Sequence, residues 1–186
     1  MVARSVSTKR GDSGTTSLLY GGRVRKDSAR IECNGAVDEA QAALGLARAH
    51  LAAEGSRAED LDDLVVALER DLWILMAEVA TAPRNRHKLV PGSSLVTAAM
   101  VDTLEARVHE LEAAGAMPAE FVVPGEDVTS AALDVARTVV RRAERLAVRA
   151  GLAQDSKVVP YLNRLSDLLW LLARQVEGRH LTARGT

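Results

Sequence analysis

Three arginines in the stretch "ARTVVRRAERLAVRAG", Arg137, Arg141 and Arg145, stand four residues apart. On a helix that spacing stacks them along one side, where like charges repel by a few tenths of a kcal/mol per pair. Two arrangements tolerate this. Acids such as Glu144 can neutralise the row on a solvated face, or the planar guanidinium forks can clamp the oxygens of a phosphate. A second stretch, "YLNRLSDLLWLLARQ", carries Asn163 and Asp167 four apart, with Arg174 two turns on. Asn and Asp in mid-helix compete with the backbone for hydrogen bonds, so each needs another partner, and bonding between helices is the plain explanation. A third stretch, "TKRGDSGTTSLLYGGRVRKD" from Thr8 to Asp27, holds four glycines and five cationic side chains without apolar rhythm. A loose tail reads this way, and so does a loop that wraps a phosphate. Asp38 and Glu39 in "NGAVDEA" lie near the start of the next segment, where acids favour a helix macrodipole.

Other candidates are weak. His50, His87, His109 and His180 have no metal-ligand spacing and read as surface or loop histidines. "GDSGTT" is not a Walker A loop, since no Gly-Lys-Ser/Thr follows it.

The elements that must position these groups are helical. Val37, Ala40, Leu44, Ala47 and Leu51 recur at three- and four-residue steps within about residues 29–53. So do Leu61, Leu64, Val65, Leu68, Leu72, Leu75, Met76 and Val79. Met100, Val101, Leu104, Val108 and Leu111 make a third stripe, Leu133, Ala136, Val140, Ala143 and Ala147 a fourth, and Leu162, Leu165, Leu169, Leu172 and Val176 a fifth. Each is the face a surface helix buries. Polar and glycine- or proline-bearing segments separate them, and Pro160 suits the first turn of the fifth. Strand alternation is absent apart from the short "FVV". The spacing predicts an all-α, five-helix antiparallel bundle, residues 29–186, behind a glycine-rich N-terminal segment, residues 1–28.

Composition agrees. The chain has 186 residues, of which 47% are hydrophobic but only 3% aromatic, so Leu, Val and Ala fill the core. A formal net charge of −1 argues against a protein devoted to nucleic acid, whose affinity comes from neutralised phosphates. One cysteine excludes an internal disulfide. No apolar run reaches the ~18–20 residues of a membrane span.

Together, "TKRGDSGTTSLLYGGRVRKD", "GAVDE", "FVVPG", "ARTVVRRAER" and "YLNRLSD" resemble, in order and spacing, the PduO-type ATP:cob(I)alamin adenosyltransferases, from about Thr8 to Arg174. The resemblance implies a ferritin-like five-helix bundle that assembles as a homotrimer, with an active site at each subunit interface. It implies transfer of the 5′-deoxyadenosyl group of ATP to the cobalt of cob(I)alamin, giving adenosylcobalamin and triphosphate, with Mg²⁺ on the ATP phosphates rather than on protein ligands. Carried over by motif, Thr8, Lys9, Arg10, Gly11, Thr16 and Lys26 contact ATP from one chain. Arg141, Arg142, Glu144, Arg145 and Asn163 contact it from the neighbour. Phe121 occupies the lower face of the corrin, and Asp38 pairs with Arg137 to shape the site. With the motif beginning at Thr8, the resemblance leaves no room for a transit peptide and implies a cytoplasmic enzyme, served by a reductase and feeding a mutase.

The residue types suit that chemistry. Gly11 and Gly14 let backbone N–H groups approach phosphate oxygens, and Lys9, Lys26 and Arg141 supply charge against a polyanion. No general base is required, because the nucleophile is reduced cobalt and has no proton to lose. Two departures bear on the corrin side: Glu126 follows "PG", and Ala40-Gln41 follow "DE". A small kinase would need a base beside an acceptor hydroxyl, and none is visible. The remaining alternative is a non-catalytic helical protein that binds a corrinoid or nucleotide and delivers it to a mutase.

Overall fold

The computed structural model describes residues 7, 9–51 and 59–184. Five α-helices carry the fold: α1 (Ala29–Leu51), α2 (Glu59–Val79), α3 (Ala98–Ala113), α4 (Val128–Arg149) and α5 (Val158–Glu177). All five expected stripes point inward. α1 and α4 make the most extensive contact, followed by α4 with α5, α1 with α2 and α3 with α5. The reason is in the side chains. Ala36, Ala40 and Ala47 of α1 and Ala136, Ala143 and Ala147 of α4 are all buried. Small residues on facing ridges let two axes approach closely. Ion pairs Glu32–Arg149 and Glu39–Arg142 flank that seam. Around it Leu44, Leu72, Leu75, Leu133, Leu162, Leu165 and Leu169 fill the interior, each fully buried.

Local chemistry sets the ends. The Thr97 side chain accepts from the Met100 N–H at the start of α3, and Asp127 accepts from the Ser130 N–H at 2.8 Å at the start of α4. These bonds satisfy donors that a helix start leaves free. α5 stops at Gly178, whose φ of 65° suits the residue that turns a chain out of a helix.

A buried carboxylate stitches the loops. Glu78 of α2 takes the Arg86 guanidinium at 2.7 Å, the Val96 N–H at 2.8 Å and the Ser156 hydroxyl at 2.7 Å. It thereby ties the 3₁₀ segment Pro83–Lys88 and the loops preceding α3 and α5 to one point. Three charge-assisted or polar bonds offset the cost of burying one acid.

Two short antiparallel ribbons depart from the purely helical expectation. Strands β1 (Thr15–Ser17) and β2 (Arg23–Arg25) pair within the glycine-rich segment. Strands β3 (Val122–Val123) and β4 (Leu181–Thr182) pair the "FVV" stretch with the chain beyond α5. No helix among the described residues is long and apolar enough to cross a membrane.

Candidate functional site

The glycine-rich segment is an arm docked on the bundle. Leu18 at its tip is 8% exposed, the Leu19 N–H donates to the Ala80 carbonyl at 2.9 Å, and the Asn85 amide donates to the Tyr20 carbonyl. The stretch has no apolar rhythm in the sequence, yet Leu18 anchors it on the bundle. Behind the tip, the Lys26 N–H bonds to the Gly14 carbonyl, and the Lys26 ammonium lies over the turn at Gly11. A Cβ on Gly11 would stand 3.0 Å from Lys26 Nζ, so the glycine lets the ammonium lie close over the turn. The Gly14 φ of 75° is open to glycine. Arg23 donates to the Arg10 carbonyl and to Thr15. Among the described residues no carboxylate pairs with Lys9, Arg10, Arg23 or Lys26, so the arm concentrates positive charge. Thr8 lies outside the described residues, and Thr16 is half-buried in β1.

A second region forms between α4, α5 and the loop before β3. Phe121, 85% exposed, overhangs a cavity of about 620 Å³ whose walls include Arg137 and Arg141 of α4 and Ser166, Asp167 and Trp170 of α5. Ala183 and Arg184 close one side, and the walls are mainly apolar. The structure thus brings Phe121, Arg137 and Arg141 to one space. Partial burial pushes the Asp167 carboxyl above its ordinary range, while Arg164 and Arg141 oppose that rise.

The remaining residues divide. Arg141 and Arg145 have no ion pair among the described residues, and the Arg145 guanidinium donates to the Arg141 carbonyl. Arg142 is tied to Glu39. Glu144 accepts from the Asn163 side-chain amide at 3.2 Å, and Arg164 donates to Asn163 Oδ1 at 2.6 Å. The interhelical bonding expected at Asn163 is therefore present, beside the arginine row.

Asp38 does not meet Arg137 within one chain. Arg137 Nε donates to Asp134 Oδ1 at 2.8 Å, while Asp38 is exposed without a partner among the described residues. The pairs Glu32–Arg149 and Glu39–Arg142 fix the reason. Their register sets Asp38 opposite Ala143, about 9 Å of helical rise from Arg137. The arm is separate too: none of Lys9, Arg10, Gly11, Thr16 or Lys26 lines the cavity.

Sequence reasoning missed Trp170 and the residues beyond α5. Trp170 sits one helical turn from Ser166, so its side of α5 was legible, but nothing marked it as a cavity wall. Arg174 does lie on the side of α5 that carries Asn163, and both bond across to α4. What the spacing did not show is that Arg174 is 1% exposed and paired with Asp134 at 2.6 Å.

Comparison with known proteins gives one family. The family model described as cobalamin adenosyltransferase matches residues 6–176. The chain is 39% identical over 171 residues to a cobalamin adenosyltransferase of Cupriavidus metallidurans, covering 91% of this chain and 86% of that one. It is 34% identical to a corrinoid adenosyltransferase of Citrobacter freundii, covering 91% and 93%. Among solved structures, a variant PduO-type ATP:corrinoid adenosyltransferase from Lactobacillus reuteri, complexed with ATP, superposes with a TM-score of 0.83 at 26% identity over 97% of this chain and 100% of that one. A phenylalanine-to-alanine variant of that enzyme, complexed with cobalamin and ATP, has the same fold, with a TM-score of 0.85, 24% identity and coverage of 97% and 100%.

Proposed function

The chain belongs to the cobalamin adenosyltransferase family, and we infer that it transfers the 5′-deoxyadenosyl group of ATP to the cobalt of a reduced corrinoid. The observation that carries the site assignment is the shared cavity: an exposed phenylalanine and two arginines face one largely apolar space. In the reaction, the cobalt–carbon bond forms as the bond from C5′ to the triphosphate oxygen breaks. Both electrons of the new bond come from cobalt(I), and triphosphate leaves with the pair from the broken one. The protein has no proton to move.

Its contribution is placement and charge. Arg141 and Arg145 form no ion pair among the described residues, so they can meet triphosphate oxygens without first breaking one. Stabilising charge on the leaving group lowers the barrier, and fixing C5′ against cobalt removes the entropy of encounter. The ring of Phe121 covers the lower corrin face, excluding water and the dimethylbenzimidazole base. Four-coordinate cobalt(II) is then easier for a reductase to convert to the nucleophile. Trp170 supplies a second aromatic wall.

A complete site takes two copies in this reading. One brings the cavity and the arginine row; the other brings the arm, with Lys9, Arg10, Gly11, Thr16 and Lys26, and Thr8 beside them. Asp38, unpaired and out of register with its own Arg137, is assigned to the Arg137 of a neighbour. A homotrimer in the cytoplasm, supplying a mutase, completes the proposal. Among the described residues no three His, Cys, Asp or Glu side chains gather as a metal site would need. In this reading Mg²⁺ arrives with the nucleotide and is held mainly by its phosphates.

The test is to mix protein, Mg·ATP and chemically reduced cobalamin and follow the absorption spectrum, beside Arg141→Ala. Formation of adenosylcobalamin with release of triphosphate is expected, and the variant should lose about 100-fold in kcat/KM for ATP. Tight binding of both ligands without turnover would favour the delivery protein. Orthophosphate or ADP as product would contradict both readings.

A further inference from the structure

A buried chain of charges connects the two walls of the Phe121 cavity. It starts at Arg137, whose Nε donates to Asp134 Oδ1 at 2.8 Å. The other oxygen of Asp134 accepts from Arg174 Nη2 at 2.6 Å, and the same nitrogen reaches the Ser130 hydroxyl at 3.2 Å. Arg174 Nε stands 3.2 Å from Glu177 Oε2, which also takes the His180 Nδ1 at 3.3 Å. His180 is the residue immediately before β4. That strand pairs Thr182 with Val122 and Leu181 with Val123, and the Ala183 N–H donates to the Phe121 carbonyl at 2.8 Å.

Stability alone does not explain this chain. The side chains of Arg174 and Glu177 are 0% exposed, yet Arg174 Nε and Nη1 and Glu177 Oε1 have no hydrogen-bond partner among the described residues, so Arg174 and Glu177 are joined as an ion pair without a hydrogen bond between them. Buried ion pairs tend to do no better for stability than apolar side chains of the same volume, and unsatisfied atoms make them worse. What charged forks provide is fixed direction. Here the Arg174 fork bonds the same acid as an arginine of the cavity wall, and its buried ion pair with Glu177 reaches, through His180, the strand that holds the opposite wall.

We propose that Arg174, Glu177 and His180 are positioning residues for adenosyl transfer, a single buried linkage that sets Arg137 and the Phe121 loop at a fixed separation across the corrinoid seat. The linkage rests on the reading of Phe121 given above. His180 is the place to break it, because its side chain is 26% exposed and its loss leaves the bundle core intact.

The experiment compares His180→Ala, His180→Asn and Phe121→Ala with the parent protein. In His180→Ala the KM for the corrinoid should rise about three- to tenfold, the cost of one hydrogen bond to a carboxylate at a part-exposed site. The spectroscopic signature of four-coordinate cob(II)alamin should weaken in proportion. The KM for ATP and the thermal midpoint should stay at parent values. His180→Asn, whose amide can replace Nδ1, should recover most of the loss. Hydrogen exchange at the Ala183 amide should quicken about tenfold in His180→Ala while α1 and α4 keep their protection. Unchanged exchange at Ala183 overturns the linkage, as does a corrinoid KM unchanged in His180→Ala, a parallel rise of both KM values, or an asparagine variant no better than alanine. A Phe121→Ala enzyme with parent activity would instead overturn the reading of Phe121, and the exchange measurement would still judge the linkage.

Discussion

Truncating Phe121 to alanine separates a ligand-facing ring from a core anchor, because the two roles predict opposite balances of stability and activity. Full burial of a phenylalanine side chain stabilises by about 1.5–3 kcal/mol. At 85% exposure the free chain collects only a small part of that, about 0.2–0.5 kcal/mol. For 186 residues, an unfolding entropy of about 2 cal/mol/K per residue converts this to a thermal shift of about 1 °C. The rest of the ring surface is available to a corrinoid. If the bound substrate covers it, alanine forfeits about 1.3–2.5 kcal/mol, or roughly 10- to 70-fold in kcat/KM for the corrinoid. The assay is adenosylcobalamin formation from cob(II)alamin with reductant and saturating Mg·ATP, with the KM for ATP measured separately and expected to hold. A fall of several degrees in the midpoint, or equal loss toward both substrates, would show that the ring anchors the loop rather than the ligand.

Three further outcomes follow from side chains elsewhere. Gly11→Ala places a methyl group 3.0 Å from Lys26 Nζ, so the flexible ammonium should move aside at little cost in stability while the KM for ATP rises several-fold; an unchanged KM would remove Lys26 from the phosphate set. Burial raises the Asp71 carboxyl above 3.8, against the opposing hydrogen bond from Tyr161 at 2.9 Å. The favourable term is therefore complete below pH 4 and is lost as pH rises through the folded value. Asp71→Asn should gain on the parent in urea melts between pH 4 and pH 7, whereas Tyr161→Phe, which strands the carboxylate, should cost about 1–2 kcal/mol at pH 7. A constant gap across pH would contradict this. Cys33 is fully buried and its thiol is pushed up to about 11, so a thiol reagent at pH 8 should label it only on unfolding; rapid labelling of native protein would place it elsewhere.

The helices were legible because each buries a continuous stripe, and a period near 3.6 survives in the sequence whatever the partner. The ribbons were not, because strands of two and three residues carry no alternation to detect, and β4 forms only because Leu181 and Thr182 find Val123 and Val122. The Asn163 bond to Glu144 was foreseen in kind, since a mid-helix amide needs a partner. Arg174 lies on the expected side of α5, but its burial went unread for an instructive reason. Arginine is rarely fully buried, and what permits it here, Asp134 on another helix, is a tertiary fact that no spacing reveals. His180 read as an ordinary loop histidine until the buried Glu177 beside it came into view. The site residues themselves were reached through motif resemblance, which names residues without saying which of them one chain can bring together.

That distinction has an electrostatic consequence. The chain is close to neutral overall, yet among the described residues the cations that form no ion pair include two separated groups at the proposed site: Lys9, Arg10, Arg23 and Lys26 on the arm, and Arg141 and Arg145 on α4. Several other arginines are matched: Arg86 by Glu78, Arg142 by Glu39, Arg164 by Glu105, Arg174 by Asp134. Leaving two groups unmatched costs little while water solvates each. Bringing them together across two subunits would be repulsive unless a polyanion stood between them. In the proposed assembly the triphosphate of ATP is that polyanion. The unmatched charge that keeps an empty site open is then the same charge that draws the arm of one copy and α4 of the next around the nucleotide.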